Sequence, residues 1–166
     1  MTADQFRKIM SQFATGITTV TARTDEGTVY GVTVNSFTSV SLDPPLVLIC
    51  LDNRLSGFQA FRVGRVFGVS VLSESQEQVS RYFAQRGLDK SEAEYTTGRT
   101  GVPLVAGALA YLECEIVAAY PAGDHTIFVG QVKAGEIAPS GEDKGALLYF
   151  RSRYTKLGGL PTNNPN

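Results

Sequence analysis

Residues 107–138 read GALAYLECEIVAAYPAGDHTIFVGQVKAGEIA. In the first half, 107–120, apolar and polar residues alternate, as a strand requires when successive side chains point to opposite faces. Residues 121–124, PAGD, supply a turn, and 125–138 then reads as the hairpin partner of the first strand. Working outward, ITTVTARTDEGTVYGVTV (17–34) is rich in threonine and valine, which favour extended backbone. Its Asp25-Glu26-Gly27 turn makes 17–24 and 28–35 a second hairpin. Pro44-Pro45 breaks the chain before LVLICL (46–51), a buried strand; VFGVSVL (66–72) is another, and ALLYF (146–150) is the last. Strands joined mainly by hairpins, not alternating with helices, predict a mainly β fold. The expectation is an antiparallel barrel or sandwich decorated by short α-helices, not a doubly wound sheet.

The helices are short. Thr2 and Gln5 have capping-box spacing, and Phe6, Ile9, Met10 and Phe13 follow at helical intervals, predicting a helix to about residue 14 that Gly16 ends. A short helix is expected over 55–63. Ser73-Glu-Ser-Gln76 forms a second capping box, opening a helix that turns Val79, Tyr82 and Phe83 inward and stops at Arg86-Gly87. Residues 88–106 are polar and glycine-rich and carry no clear period. One domain over 1–158 is expected, with 159–166 a disordered tail.

The 166 residues carry a formal charge of −1 and a pI near 5.8, with no basic excess to hold a phosphate backbone, so nucleic-acid binding is not expected. The N-terminus lacks an apolar signal core, and the longest clean apolar run, 46–51, is far short of a membrane span. A cytoplasmic protein without membrane contact is expected. Cys50 and Cys114 lie in separate apolar runs and read as buried reduced thiols. One histidine in the chain excludes a histidine-rich metal site and HExxH. GxGxxG after a strand, GxxxxGK[ST] and GxSxG are all missing.

Three features carry chemistry. The first is the polar strip in GVTVNSFTSVSLDPP (31–45). With Tyr30, Val32 and Val34 on one strand face, Thr33 and Asn35 share the other. The second is Leu51-Asp-Asn-Arg-Leu-Ser56, where polar groups gather at a helix start; this fits an anion site and equally a plain helix cap. The third is GDHTIFVG (123–130). Asp124 can orient the imidazole of His125, and Gly123 and Gly130 would let a ligand approach the backbone.

GVTVNSFTSVSLDPPLVLICL, AGDHTIFVGQV and the closing LLYFRSRYTKL resemble the short-chain flavin reductase family, the reductase components of two-component flavin-dependent monooxygenases. The resemblance covers about residues 3–157 in order and spacing. It implies an FMN-binding split barrel, a homodimer, and reduction of FMN or FAD by NADH or NADPH for a partner monooxygenase. Carried over position by position, it places Thr33, Val34, Asn35 and Ser36 at the flavin ring and ribityl chain. Cys50, Leu51, Asp52 and Asn53 then line the ribityl side, with Ser56 near the phosphate. Phe83, Ala84 and Arg86 add contacts, Arg86 as a phosphate or adenine partner. His125 faces the nicotinamide as a positioning and polarising residue, and Tyr154 closes that side. Position 34 is valine where small residues are common in the family.

Three other readings compete. A related split barrel could oxidise pyridoxine phosphate or bind flavin for other redox work; the AGDH motif with no strongly basic phosphate cluster argues against the pyridoxine branch. A flavin-binding module without turnover would carry the same strip. A plain interaction protein leaves the strip unexplained.

Overall fold

The computed structural model describes residues 1–139, 141 and 143–158. Along the chain run α1 (Ala3–Met10), β1 (Thr15–Gly16), β2 (Thr18–Arg23), β3 (Val29–Val34), β4 (Phe37–Leu42), β5 (Pro45–Asp52) and β6 (Val66–Val71). Then come α2 (Glu77–Ala84), β7 (Tyr95–Thr97), β8 (Pro103–Val105), β9 (Ala110–Ala122), β10 (His125–Ile137), β11 (Leu148–Phe150) and β12 (Arg153–Thr155).

Seven of the strands form one antiparallel sheet in the order β3-β2-β6-β9-β10-β5-β4. β3 and β4 are at opposite edges, yet only Asn35 and Ser36 join them. So short a link reaches no more than about 11 Å, and the sheet must curl until its edges meet. The Ser36 hydroxyl locks the corner: it donates to the Cys50 carbonyl at 2.9 Å and accepts from the Cys50 N–H at 3.2 Å. The corner, not a continuous ladder, closes the barrel, and the outer edge of β3 has no strand beside it among the described residues. This is the split barrel that the resemblance implied.

Alternation fills the barrel. Val47, Ile49 and Leu51 of β5 point inward with Val20, Phe67, Val69, Ile116 and Phe128, and Cys114 is buried among them. Both cysteines are free thiols; Cys114, fully buried, has its pKa pushed up to about 12 by desolvation. The 107–138 hairpin is present as β9 and β10, its turn reduced to Gly123-Asp124 with Gly123 at φ +66°.

Several expectations need correction. α1 keeps its Thr2–Gln5 box but ends at Met10, and it buries no residue: Phe6, Ile9, Met10 and Phe13 stay exposed. Only a 3-10 turn, Phe58–Ala60, forms within 55–63. At 73–76 the Gln76 side chain accepts from the Ser73 N–H at 3.0 Å, but Gln76 is itself the N-cap of α2 and no side chain caps the helix. Residues 88–106 contain the β7–β8 hairpin. β4 and β12 were not foreseen, and 146–150 narrows to β11, which pairs with β1 and β12. Gly130 is buried in the core with no room for a ligand. The expected tail, 159–166, lies outside the described residues.

One buried acid ties the 88–106 excursion to the barrel. Glu113 of β9 is 4% exposed and accepts from the Arg99 N–H at 2.8 Å, the Thr100 N–H at 2.6 Å and the Thr100 hydroxyl at 2.5 Å. Burial pushes its pKa up, but these three hydrogen bonds outweigh burial and leave it below the ordinary value of 4.5. A lowered native pKa gives stability that is complete above the unfolded value and is lost as pH falls through the native one. Glu113→Ala is expected to cost about 1–3 kcal/mol by stranding those donors. In urea titrations the deficit should shrink as the pH is taken from 7 down through the native pKa.

Candidate functional site

An open cleft of about 1070 Å³ runs along the free edge of β3. Its walls are β3 with Asn35 and Ser36, the end of β5, the C-terminal end of α2 through Lys90, and the Asp124-His125 turn. Ala3, Phe6 and Arg7 of α1 form part of the rim. An edge strand leaves alternate N–H and C=O groups without a ladder partner, so β3 offers backbone donors and acceptors as well as side chains.

The two faces of β3 divide as the sequence predicts: Tyr30, Val32 and Val34 pack on the core, while Gly31 and Thr33 face α2. The Thr33 hydroxyl, however, donates to the Ser80 carbonyl at 2.6 Å, so it braces α2 and its donor is spent. Ser36 is similarly committed to Cys50, while Asn35 is exposed. The polar strip is thus part corner lock and part cleft wall. Phe83 borders the cleft but is 1% exposed and anchors α2 in a small core with Ile17, Leu72, Val105 and Leu147. Leu51 also borders the cleft while pointing into the barrel. Cys50 is half-buried with a thiol pKa raised by desolvation, which keeps it protonated.

β5 and β10 pair with His125 opposite Asp52, so the two side chains emerge at the same end of the sheet. His125 Nδ1 lies 2.7 Å from Asp124 Oδ1. A carboxylate only accepts, so Nδ1 carries a proton and Nε2 is the ring atom left facing away from Asp124. Asn53 does not line the cleft. Its N–H donates to the Asp124 carbonyl at 3.0 Å and its side-chain oxygen accepts from the Thr126 hydroxyl at 2.8 Å, pinning the turn that carries His125. Tyr154 also stands outside the cleft, its hydroxyl 2.9 Å from Ser80 Oγ and its ring beneath Arg81.

The cationic end combines Arg54, Arg86 and Asp52; both guanidiniums bind the one carboxylate, Arg54 through two nitrogens and Arg86 at 2.7 Å. Arg86 is held in place from behind. Lys90, 3% exposed, donates to the carbonyls of Tyr82 at 2.6 Å and Gln85 at 3.0 Å at the end of α2. A lysine at a helix C-terminus satisfies its last carbonyls; the Tyr82 carbonyl also accepts from the Gln85 N–H at 3.3 Å. Lys90 was missed because only packing of distant elements brings it to the cleft; Tyr30, on β3 itself, was read only as a core-facing residue, yet it also borders the cleft. Among the described residues no group of three or more acids, histidines and cysteines could hold a metal ion. No helix among them is long and apolar enough to cross a membrane.

An apolar floor, neutral hydrogen-bonding groups along one wall and two arginines at one end fit a ligand with a flat heteroaromatic body and a phosphate tail. Fold and cleft together define the split-barrel class of flavin-handling proteins. Residues 10–158 match the flavin reductase like domain, and the chain belongs to that family. It is 42% identical over 149 residues to the NADH-dependent flavin reductase of Pseudomonas fluorescens, covering 90% of this chain and 86% of that one. It is 46% identical over 127 residues to an NADH-using FMN reductase of Agrobacterium fabrum, covering 76% and 72%. The solved Streptomyces globisporus NADH:FAD oxidoreductase, in complex with NAD and FAD fragments, superposes with a TM-score of 0.87 at 38% identity. That superposition covers 96% of this chain and 94% of that one.

Proposed function

We propose that this protein is a flavin reductase that takes a hydride from NADH, reduces FMN or FAD, and supplies the reduced flavin to a separate monooxygenase. The observation that carries the reading is one cleft in which the open edge of β3, the oriented His125 and the Arg54–Arg86 pair converge. The flavin ring supplies the electron-accepting chemistry when bound, so the chain needs no acid–base pair. Its task is orientation. In this reading the β3 edge around Val34, with Asn35, holds the ring by neutral hydrogen bonds, while Ser36, its hydroxyl spent on Cys50, fixes the corner beside it. Thr33 keeps α2 at the proper distance through Ser80. Cys50 and Asp52 border the ribityl chain, Ser56 and Arg86 the phosphate, and His125 the nicotinamide. Tyr154 takes part only indirectly, through Ser80 and α2.

The working unit is a homodimer, supported by Phe6, Ile9 and Met10 of α1 and by Phe13 just after it, which have 48–70% of their surface exposed in one chain. We place it in the cytoplasm, where Cys50 and Cys114 stay reduced. The test follows NADH absorbance with FMN, with FAD and with no added flavin, on protein whose mass is read by light scattering. Oxidation that saturates with added flavin supports the reductase, and the two curves rank the flavins. No oxidation with NADH or NADPH, with flavin retained on gel filtration, would instead leave a binding module without turnover.

A further inference from the structure

At the cationic end of the cleft, one carboxylate holds two guanidiniums. Asp52 Oδ1 accepts from the Arg54 N–H at 2.9 Å and Arg54 Nε at 3.0 Å, and Oδ2 accepts from Arg54 Nη2 at 2.9 Å and Arg86 Nη2 at 2.7 Å. Their exposure is unequal: the Asp52 side chain is 11% exposed, Arg54 69% and Arg86 63%. The acid lies underneath and both cations open toward solvent. The partners come from far apart in the chain, Arg54 from the turn after β5 and Arg86 from the segment after α2. Hydrogen bonds from Arg54 and then from Arg86 hold the Asp52 carboxyl far below the usual range, so it stays charged at any working pH.

These two cations and one anion leave a single net positive charge for a phosphate dianion, and Asp124, which also lines the cleft and acts on Arg54, lowers it further. A phosphate arriving there must draw the arginines from Asp52 or sit beside a like charge. In either case it gains less than the free pair would give. We infer that Asp52 is an internal competitor for the flavin phosphate, weakening retention of FMN or FAD so that reduced flavin leaves the enzyme. The inference rests on the flavin reductase reading and adds to it a device that sets how readily the flavin leaves.

Asp52→Asn isolates the charge, because the amide keeps the shape and an acceptor oxygen for the Arg54 N–H. Flavin fluorescence titrations of wild type and variant compare FMN with riboflavin, which has the same ring and ribityl chain but no phosphate. In Asp52→Asn the Kd for FMN is expected to fall about tenfold, the scale of one charge near a surface site, while the riboflavin Kd stays within about twofold. An FMN Kd that is unchanged or higher overturns the inference and makes Asp52 a brace for the arginines. If circular dichroism shows that Asp52→Asn does not fold, Arg86→Gln decides. It is expected to weaken FMN about tenfold and leave riboflavin unchanged. Unchanged FMN affinity there removes the phosphate from the arginine pair and the inference with it. Wild type that binds neither flavin would instead overturn the flavin reductase reading itself, a result distinct from either variant's.

Discussion

His125→Ala is expected to raise the KM for NADH about tenfold, a loss of about 1.4 kcal/mol of binding, while the Kd for flavin stays within about twofold. The asymmetry follows from where the ring is held. His125 opens β10, at the end of the cleft where Asp52 stands across the ladder. Asp124 holds Nδ1 at 2.7 Å, and Asn53 pins the same turn through the Asp124 carbonyl and Thr126. The imidazole therefore presents a fixed edge to a second ring without supplying the β3 wall proposed for the first. Asp124→Asn keeps the hydrogen bond but weakens the hold on the tautomer, and is expected to shift the NADH KM in the same direction by about threefold. Steady-state kinetics with NADH varied at saturating flavin, beside a flavin fluorescence titration, read both constants. Wild-type NADH kinetics in His125→Ala, or an equal loss of flavin affinity, would remove the histidine from the nicotinamide side.

The barrel was legible where a strand alternates or is rich in residues that favour extended backbone. β9 and β10 alternate, β2 is rich in threonine and valine although both of its faces are buried, and turns such as Asp25-Glu26-Gly27 and Gly123-Asp124 punctuate the strands. β4 escaped because only Phe37 of its apolar residues packs on the core: Val40 is 49% and Leu42 93% exposed on an edge strand. α1 misleads in the same way, with helical spacing that marks an apolar face but not what covers it. In the cleft, the contiguous parts were readable, since Asn35, Ser36, Cys50, Asp52 and His125 lie in short motifs. What a side chain does there was less readable. Thr33 and Ser36 look like free hydroxyls in the sequence, and the fold spends both on backbone groups. Asn53 reads as a wall residue and serves as a pin, and Tyr154 sits beyond α2's Ser80. Tertiary packing makes these distinctions, and no period in the sequence reports it.

Gly130 gives the sharpest separation between a packing role and a ligand role. A Cβ built on it would lie 2.6 Å from Phe67 Cε1 and Cζ and 2.9 Å from Cys114 Cβ. Its φ is not in the left-handed region, so space alone demands glycine. Phe67 cannot yield cheaply, being fully buried in the main core. Gly130→Ala is therefore expected to cost about 1–3 kcal/mol by overpacking, and Phe67→Ala about 3–5 kcal/mol by leaving a cavity. For a chain of this length each kcal/mol lowers Tm by about 2–4 °C, so differential scanning calorimetry resolves both. Phe67→Leu removes the ring atoms that the new methyl would strike. The pair Gly130→Ala with Phe67→Leu should then be less destabilised than the sum of its single variants, a coupling that neighbours in contact show and distant sites do not. A glycine kept for close approach of a ligand would behave in the opposite way. Gly130→Ala would then melt near wild type and lose flavin or NADH affinity, and that result would return Gly130 to the site.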